Sequence, residues 1–98
     1  MSKEGRGGEQ TLGFRVEGRV QGVGFRAWTV RTARALGLRG WVRNLPDGAV
    51  EAHVAGGSGA MARMREELGR GPGAARVDRV VELPVAHDLP HGGFEVRG

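Results

Sequence analysis

Hydrophobic and polar residues alternate from Leu12 to Glu17, and this period of two predicts a β-strand with one buried face. A glycine-rich stretch follows, after which apolar residues recur at the three- and four-residue spacing of an amphipathic helix. The face that this spacing defines consists of Phe25, Trp28, Thr29, Thr32, Ala33 and Leu36. Gly37 follows directly, in the position of a C-cap, and predicts the end of the helix.

The next part of the chain predicts a β-hairpin and a second helix. The hairpin strands are "RGWVRNL" and "AVEAHVAG", because the "LPDGA" sequence between them holds Pro, Asp and Gly where a tight turn needs them. In the second helix, Ser58 is expected at the N-cap, and Met61, Met64 and Leu68 share one face. The sequence "GRGPG" ends this helix.

Two further strands complete the predicted fold, one in "ARVDRVVELPV" and a short one in "FEVR". The former would place four apolar side chains on one side, interrupted by Arg79: Val77, Val81, Leu83 and Val85. The order βαββαβ with a short C-terminal strand predicts an α/β (α+β) fold, a ferredoxin-like sandwich. Its sheet is expected to be antiparallel, with the two helices on one face, because both crossovers are right-handed.

Length and composition limit the protein to one globular domain. The chain has 98 residues, of which 39% are apolar and 27% charged. Residues 1–10 are polar and glycine-rich and predict a flexible N-terminal tail, which leaves residues 11–98 as a single domain. No apolar run reaches the roughly 18 residues of a membrane span, and no signal-peptide segment is visible. Without cysteine the chain forms no disulfide, and we expect a cytoplasmic monomer that binds no membrane.

The charge of the chain favours an anionic ligand. Its net charge of +4 reflects fourteen arginines and a single lysine against eleven acidic residues, and a basic domain of this size favours an anionic partner, either nucleic acid or a small phosphate. The arginines are spread along the sequence, however, and they would equally serve as solubilising cations. Charge alone therefore leaves the function open.

The stretch "GRVQGVGFR", residues 18–26, is the strongest candidate for a ligand site. Gly22 and Gly24 can adopt positive φ, so successive backbone N–H groups can converge on an anion at the start of the helix. Arg26 falls in the first helical turn, where a cation is unfavourable for the helix dipole unless an anion is bound beside it. A guanidinium group can bind two phosphate oxygens at once. The alternative is a tight turn with an exposed arginine.

Three known phosphate-binding patterns can be weighed against this stretch. A Walker A loop ends in Gly-Lys-Ser/Thr, which "GFR" does not match. "GVGFRA" fits the dinucleotide fingerprint, and Asp47 lies 23 residues beyond Gly24, but the following strand leads into a hairpin instead of a second crossover. The tyrosine-phosphatase spacing C-x₅-R recurs from Val20 to Arg26, with valine at the nucleophile position. An anion-binding loop without a nucleophilic side chain suits a substrate with a good leaving group, such as an acyl phosphate, which water can attack directly.

Two sequence segments resemble the signatures of the acylphosphatase family. "GRVQGVGFR" matches G-x-V-Q-G-V-x-F-R, and "GWVRNLPDGAVE" matches G-W-V-x-N-x-x-D-G-x-V-E; the likeness spans about residues 12–97. The resemblance implies hydrolysis of the carboxyl–phosphate bond without metal or other cofactor, with inorganic phosphate or sulfate as competitors. It implies that Arg26 binds the phosphate and that Asn44 orients the attacking water. The implied backbone donors are the N–H groups of Gln21, Gly22, Val23, Gly24 and Phe25.

The residues themselves leave a second interpretation of Asn44 open. Asparagine is unfavourable within a strand, and Asn44 precedes a Pro-Asp-Gly turn, so it would also serve the geometry of the hairpin end. Asp47 is expected to act in this turn. Trp28 and Trp41 are expected between sheet and helices. Surface positions are expected for the three histidines, which are His53, His87 and His91.

Two other functions compete with an enzyme. Ferredoxin-like sheets bind single-stranded RNA through exposed aromatic residues, but this chain has five aromatic residues and lacks the corresponding RNA-binding motif, so we expect no nucleic-acid partner. A regulatory domain that binds anions without turnover is the other alternative. Because the sequence stops at Gly98, we expect the free enzyme, acting on a small-molecule acyl phosphate.

Overall fold

The strands and helices follow the predicted order. The computed structural model describes residues 8–86 and 88–98, and within these ranges the chain forms five strands and two helices. They are β1 (Glu9–Arg19), α1 (Phe25–Ala35), β2 (Arg39–Asn44), β3 (Val50–Gly57), α2 (Ser58–Arg70), β4 (Arg76–Leu83) and β5 (Phe94–Val96). Glu9 and Gln10, expected in the tail, pair with Gly57 and Gly56 in the sheet; residues 1–7 lie outside the described residues.

The sheet has the ferredoxin-like topology that the sequence predicts, with one parallel pair added. Its strand order is β4-β1-β3-β2-β5. The four longer strands pair antiparallel, as predicted. The short strand β5 pairs in parallel with β2, from Gly40–Phe94 to Val42–Val96, so the sheet is mixed. This follows from the topology, because β4 and β2 run in opposite directions and the chain reverses once more after β4.

The core lies between the sheet and the two helices. Every layer contributes to the fully buried side chains, of which the largest are Phe14, Phe25, Phe94, Met61, Met64 and Leu68. The predicted apolar face of α2 is therefore confirmed, and α1 buries Phe25, Thr29 and Ala33 with Trp28 packed at the margin. Neither helix in the described part of the chain combines the length and apolar character that a membrane span needs.

Glycines and backbone hydrogen bonds mark the C-terminus of α1 and the N-terminus of α2. Gly37 has φ +72°, and its N–H donates to Arg34 O at 3.0 Å while the Leu38 N–H donates to Ala33 O at 2.9 Å, which is a Schellman motif. Gly37 thus ends the helix as predicted, but the C-cap itself is Leu36 and Gly37 is the residue that follows it. Ser58 is not the N-cap of α2, because Gly57 occupies that position in extended geometry and Ser58 already belongs to the helix.

A β-bulge overturns the predicted face of the fourth strand. Glu17 pairs with Arg79 and Gly18 pairs with Val77, so Asp78 is an extra residue on β4. The bulge shifts the alternation of the strand by one residue. Val77 and Val80 therefore pack against the core, instead of the predicted row that continues from Val77 to Val81 and Leu83. Gly18 permits this arrangement, because a Cβ there would lie 2.1 Å from Arg76 O.

The sheet face opposite the helices is partly covered, which contradicts two expectations. His53 is only 3% exposed: its ring lies 4.6 Å from that of Trp41, and its Nδ1 accepts a hydrogen bond from the Ala86 N–H at 3.0 Å. The prediction of a surface position for His53 is therefore wrong, as is the placement of Trp41 between sheet and helices. Gly13 leaves room for the imidazole, since a Cβ there would lie 2.8 Å from it. His91 is exposed as predicted, and His87 lies outside the described residues.

Candidate active site

A pocket opens where the loop between β1 and α1 meets the end of β2. Its volume is about 290 Å³, and its lining consists of Val20, Gly22, Gly24, Phe25, Arg26, Ala27, Asn44 and Val96. Arg26 and Asn44, the two side chains predicted to act in catalysis, thus share one pocket. The crossover from β1 through α1 to β2 explains this, because β1 ends, α1 begins and β2 ends at the same edge of the sheet.

The loop has the backbone conformation expected of an anion cradle. Gly22 has φ +76° and Gly24 has φ +78°, both in the left-handed region that residues with a Cβ rarely adopt. No atom lies within 4 Å of a Cβ built on either glycine, so φ and not space requires glycine here. Three of the five residues predicted to donate main-chain N–H groups line the pocket, namely Gly22, Gly24 and Phe25. The Val23 side chain packs against the core, and the Gln21 side chain points away from the pocket.

The N-terminus of α1 faces the same pocket. Within the described residues no side chain caps this helix, and its first turn contains no acidic residue. The Gly24 carbonyl accepts the hydrogen bond of Trp28 N–H at 3.0 Å, which begins the helical ladder. The first backbone N–H groups of the helix therefore remain available, and together with the helix dipole they favour a bound anion.

Arg26 supplies a cation that no carboxylate in the described part of the chain neutralises. Its side chain has neither an ion-pair partner nor a hydrogen bond among residues 8–86 and 88–98, whereas Arg15 and Arg97 are held by carboxylates. No carboxylate occurs among the described residues that line the pocket. The guanidinium group, the helix N-terminus and the glycine loop together form a site complementary to a tetrahedral oxyanion.

Asn44 ends β2 at the mouth of the pocket, with its backbone paired to Val50. Its side chain has no hydrogen-bond partner in the described part of the chain. The turn that follows is held by Asp47 instead, which accepts from Ala49 N–H at 3.1 Å and from Arg15 Nη2 at 2.7 Å. These contacts, that of Arg15 foremost, lower the pKa of Asp47, so the carboxylate is charged and structural. The hairpin therefore does not depend on the Asn44 amide.

Known proteins show the same sequence pattern and the same fold. A family model described as Acylphosphatase matches residues 12–96. The chain belongs to the acylphosphatase family. It is 59% identical to an acylphosphatase of Nitrobacter hamburgensis over 71 residues, which is 72% of each protein. Two solved acylphosphatases have the same fold. The structure from Coxiella burnetii has a TM-score of 0.81 and 36% identity over 97% of each chain. The structure from Bacillus subtilis has a TM-score of 0.78 and 32% identity, and the match covers 90% of this chain and 98% of that one.

One contact in this acylphosphatase site was not foreseen from the sequence. The Gln21 side chain leaves the loop and its Nε2 donates to Leu45 O at 2.8 Å and to Ala49 O at 2.9 Å. These two carbonyls flank the turn that follows Asn44. Gln21 thereby ties the glycine loop to the hairpin that carries Asn44. No local pattern signals this contact, because it joins residues 24 and 28 positions apart.

We expect the substitution Gln21→Glu to separate the loop from the hairpin. A carboxylate of the same shape has no donor for the two carbonyls of Leu45 and Ala49, so the free energy of unfolding should fall by about 1–3 kcal/mol. The turnover number for an acyl phosphate should fall about tenfold, because Asn44 loses its fixed distance from the loop. Steady-state kinetics and thermal unfolding measure the two effects.

Gln21→Met is the matched control for this substitution, since it removes the donor without adding charge. Leu45 O and Ala49 O each keep a second hydrogen-bond partner, so the methionine variant should lose less stability than the glutamate variant. Protonation of the carboxylate that Gln21→Glu introduces restores a donor, and the deficit of this variant should shrink as the pH approaches about 4. Equal activity of Gln21→Glu and the wild type at neutral pH would contradict a positioning role.

Proposed function

We propose that this chain hydrolyses acyl phosphates to a carboxylate and inorganic phosphate by direct attack of water on phosphorus. The oxygen of water forms the new bond to phosphorus, and the carboxylate leaves with the electron pair of the bond that breaks. The observation that carries the proposal is that Arg26, Asn44 and the two positive-φ glycines line one pocket. A good leaving group lets such a site dispense with a nucleophilic side chain.

Arg26 and the loop bind the phosphoryl group in this proposal. The guanidinium binds two of the three terminal phosphoryl oxygens, and the main-chain N–H groups of residues 21–25 bind the third. These donors are already arranged in the free protein, so they stabilise the charge that accumulates on the oxygens during the displacement without reorganisation. Among the described residues Arg26 has no ion-pair partner and α1 has no side-chain cap, and both observations support this role.

Asn44 orients the attacking water. The amide oxygen can accept a hydrogen bond from one O–H of the water and the amide NH2 can donate one to a lone pair of the water, which fixes the direction of the remaining lone pair. Its side chain has no other hydrogen-bond partner within residues 8–86 and 88–98, since the hairpin turn is held by Asp47. The proton of the attacking water passes to the phosphate itself, since neither a carboxylate nor an imidazole lines the described pocket.

The proposal extends to the inhibitors of the enzyme, the extent of its domain and its partners. Inorganic phosphate and sulfate should compete with substrate, because both present tetrahedral oxygens to the cradle. The family match over residues 12–96 supports a single catalytic domain, which includes Glu9 and Gln10 because both pair within the sheet, and we propose that it acts as a cytoplasmic monomer without cofactor. An RNA-binding role is disfavoured, because Trp41 on the open sheet face is 5% exposed and cannot stack on a base.

The direct test is hydrolysis of benzoyl phosphate in the presence of EDTA. We expect turnover that EDTA does not reduce, since the proposed chemistry uses only protein groups and water. Inorganic phosphate should act as a competitive inhibitor. A continuous absorbance assay of benzoyl phosphate measures both results. Absence of hydrolysis by the folded protein would contradict the proposal, and salt-dependent binding of single-stranded RNA would favour the nucleic-acid alternative.

A further inference from the structure

Val96 is exposed at a position where the sheet otherwise buries its side chains. Its register partner on β2, Val42, is fully buried, and Phe94, two residues earlier on β5, is 1% exposed. Side chains two residues apart in a strand point to the same face, so Val96 points to the helix side of the sheet. It is nevertheless 48% exposed and is the one exposed large hydrophobic side chain among the described residues.

The pocket explains this exposure. Val96 is uncovered because it borders the cavity that also contains Arg26 and Asn44, and its neighbours in the lining include the exposed Ala27. Val42 lies two residues before Asn44 on β2, so Val96 lies about 7 Å along the sheet from the level of Asn44. Apolar side chains thus lie in the same pocket as the proposed phosphoryl site.

We propose that Val96, with Ala27, forms the acyl-group subsite and favours substrates whose acyl group is apolar, either aromatic or branched aliphatic. This inference rests on the proposed function, because it places the phosphoryl group at Arg26 and the loop. The acyl substituent then has to extend along the pocket, where Val96 offers a contact that excludes water. Burial of apolar surface in this contact strengthens binding in proportion to the area covered.

The charges around Val96 support an apolar contact over an ionic one. Arg97, the next residue, is bound by Glu95 at 2.7 Å and by Asp88 at 2.8 Å. Arg43 on the neighbouring strand is bound by Glu51 at 2.6 Å. Arg26 is the one charged residue among the described residues of the lining, and in the proposed function it binds the phosphoryl group. The acyl group therefore gains from contact with the valine side chain.

The experiment compares benzoyl phosphate and acetyl phosphate as substrates of Val96→Ala and Val96→Thr. The ratio of kcat/KM for benzoyl over acetyl phosphate should fall about fivefold in Val96→Ala, because the short acetyl group has less contact to lose. Val96→Thr keeps the shape but replaces one methyl group with a hydroxyl, and the ratio should fall in this variant as well. The inhibition constant of inorganic phosphate, which has no acyl group, should change less than the ratio.

Val81→Ala is the matched control, because Val81 is a half-buried valine on β4 outside the pocket. It should leave the substrate ratio unchanged. An unchanged ratio in both Val96 variants would overturn the subsite, as would a parallel loss with both substrates and with phosphate, which would make Val96 a support of the loop. A wild-type protein inactive toward both substrates would instead remove the proposed function, and the subsite with it.

Discussion

Replacing Arg26 with alanine should lower kcat/KM for benzoyl phosphate by about 10³-fold or more. This loss corresponds to ~4 kcal/mol of transition-state stabilisation. The effect is large because the guanidinium is the single cation among the described residues of the pocket and binds the oxygens on which charge accumulates. The inhibition constant of inorganic phosphate should rise as well, since Arg26 binds the ground state too. Steady-state kinetics with phosphate as inhibitor measures both effects.

The stability of this variant separates catalysis from folding. A cation in the first turn of α1 opposes the helix dipole, so removing Arg26 should leave the free energy of unfolding unchanged or raise it slightly. Arg26→Lys retains the charge without the bidentate geometry and should remain far below wild-type activity. Arg31→Ala removes an exposed arginine from the same helix and should be nearly fully active. If Arg31→Ala and Arg26→Ala lost activity equally, overall charge and not the pocket would be responsible.

The elements that could be predicted from the sequence are those with local signals. The alternation in β1, the apolar face of α1 and the helix end at Gly37 each depend on residues within one turn or strand, and all three are present. The glycine loop was predictable for the same reason, because positive φ at Gly22 and Gly24 is a property of single residues. Right-handed crossovers then bring Arg26 and Asn44 to one edge of the sheet.

The features that could not be predicted depend on residues far apart in the chain. The bulge in β4 depends on the pairing of Gly18 with Val77, which no pattern within β4 reveals. His53 has the pattern of a solvent-side residue in an alternating strand, and it is buried because the segment at Ala86 returns across the open face. The contact of Gln21 with the hairpin has the same origin. In each case tertiary contacts determine the environment of the residue, and the pattern of neighbouring residues in the sequence does not reveal them.

Replacing Asn44 with alanine should lower kcat for benzoyl phosphate by about 10²- to 10³-fold while the inhibition constant of phosphate changes only a few-fold. The difference arises because Asn44 acts on the attacking water, which takes part only in the reaction, whereas Arg26 and the loop bind phosphate in every state. Asn44→Asp keeps the shape but replaces the donor with a negative charge near the phosphoryl oxygens, so it should weaken phosphate binding as well.

Asp47→Asn is the control that distinguishes water orientation from hairpin geometry. It alters the residue that holds the turn after Asn44 but retains the acceptor for Ala49 N–H, so kcat should stay near the wild-type value. It loses the charge that pairs with Arg15, and a small loss of thermal stability below that of the wild type is expected. If Asn44→Ala instead lowered stability and phosphate affinity in parallel with kcat, its amide would serve the hairpin. The water would then have to be oriented by the phosphate and the loop alone, because the described pocket offers no other polar side chain besides Arg26.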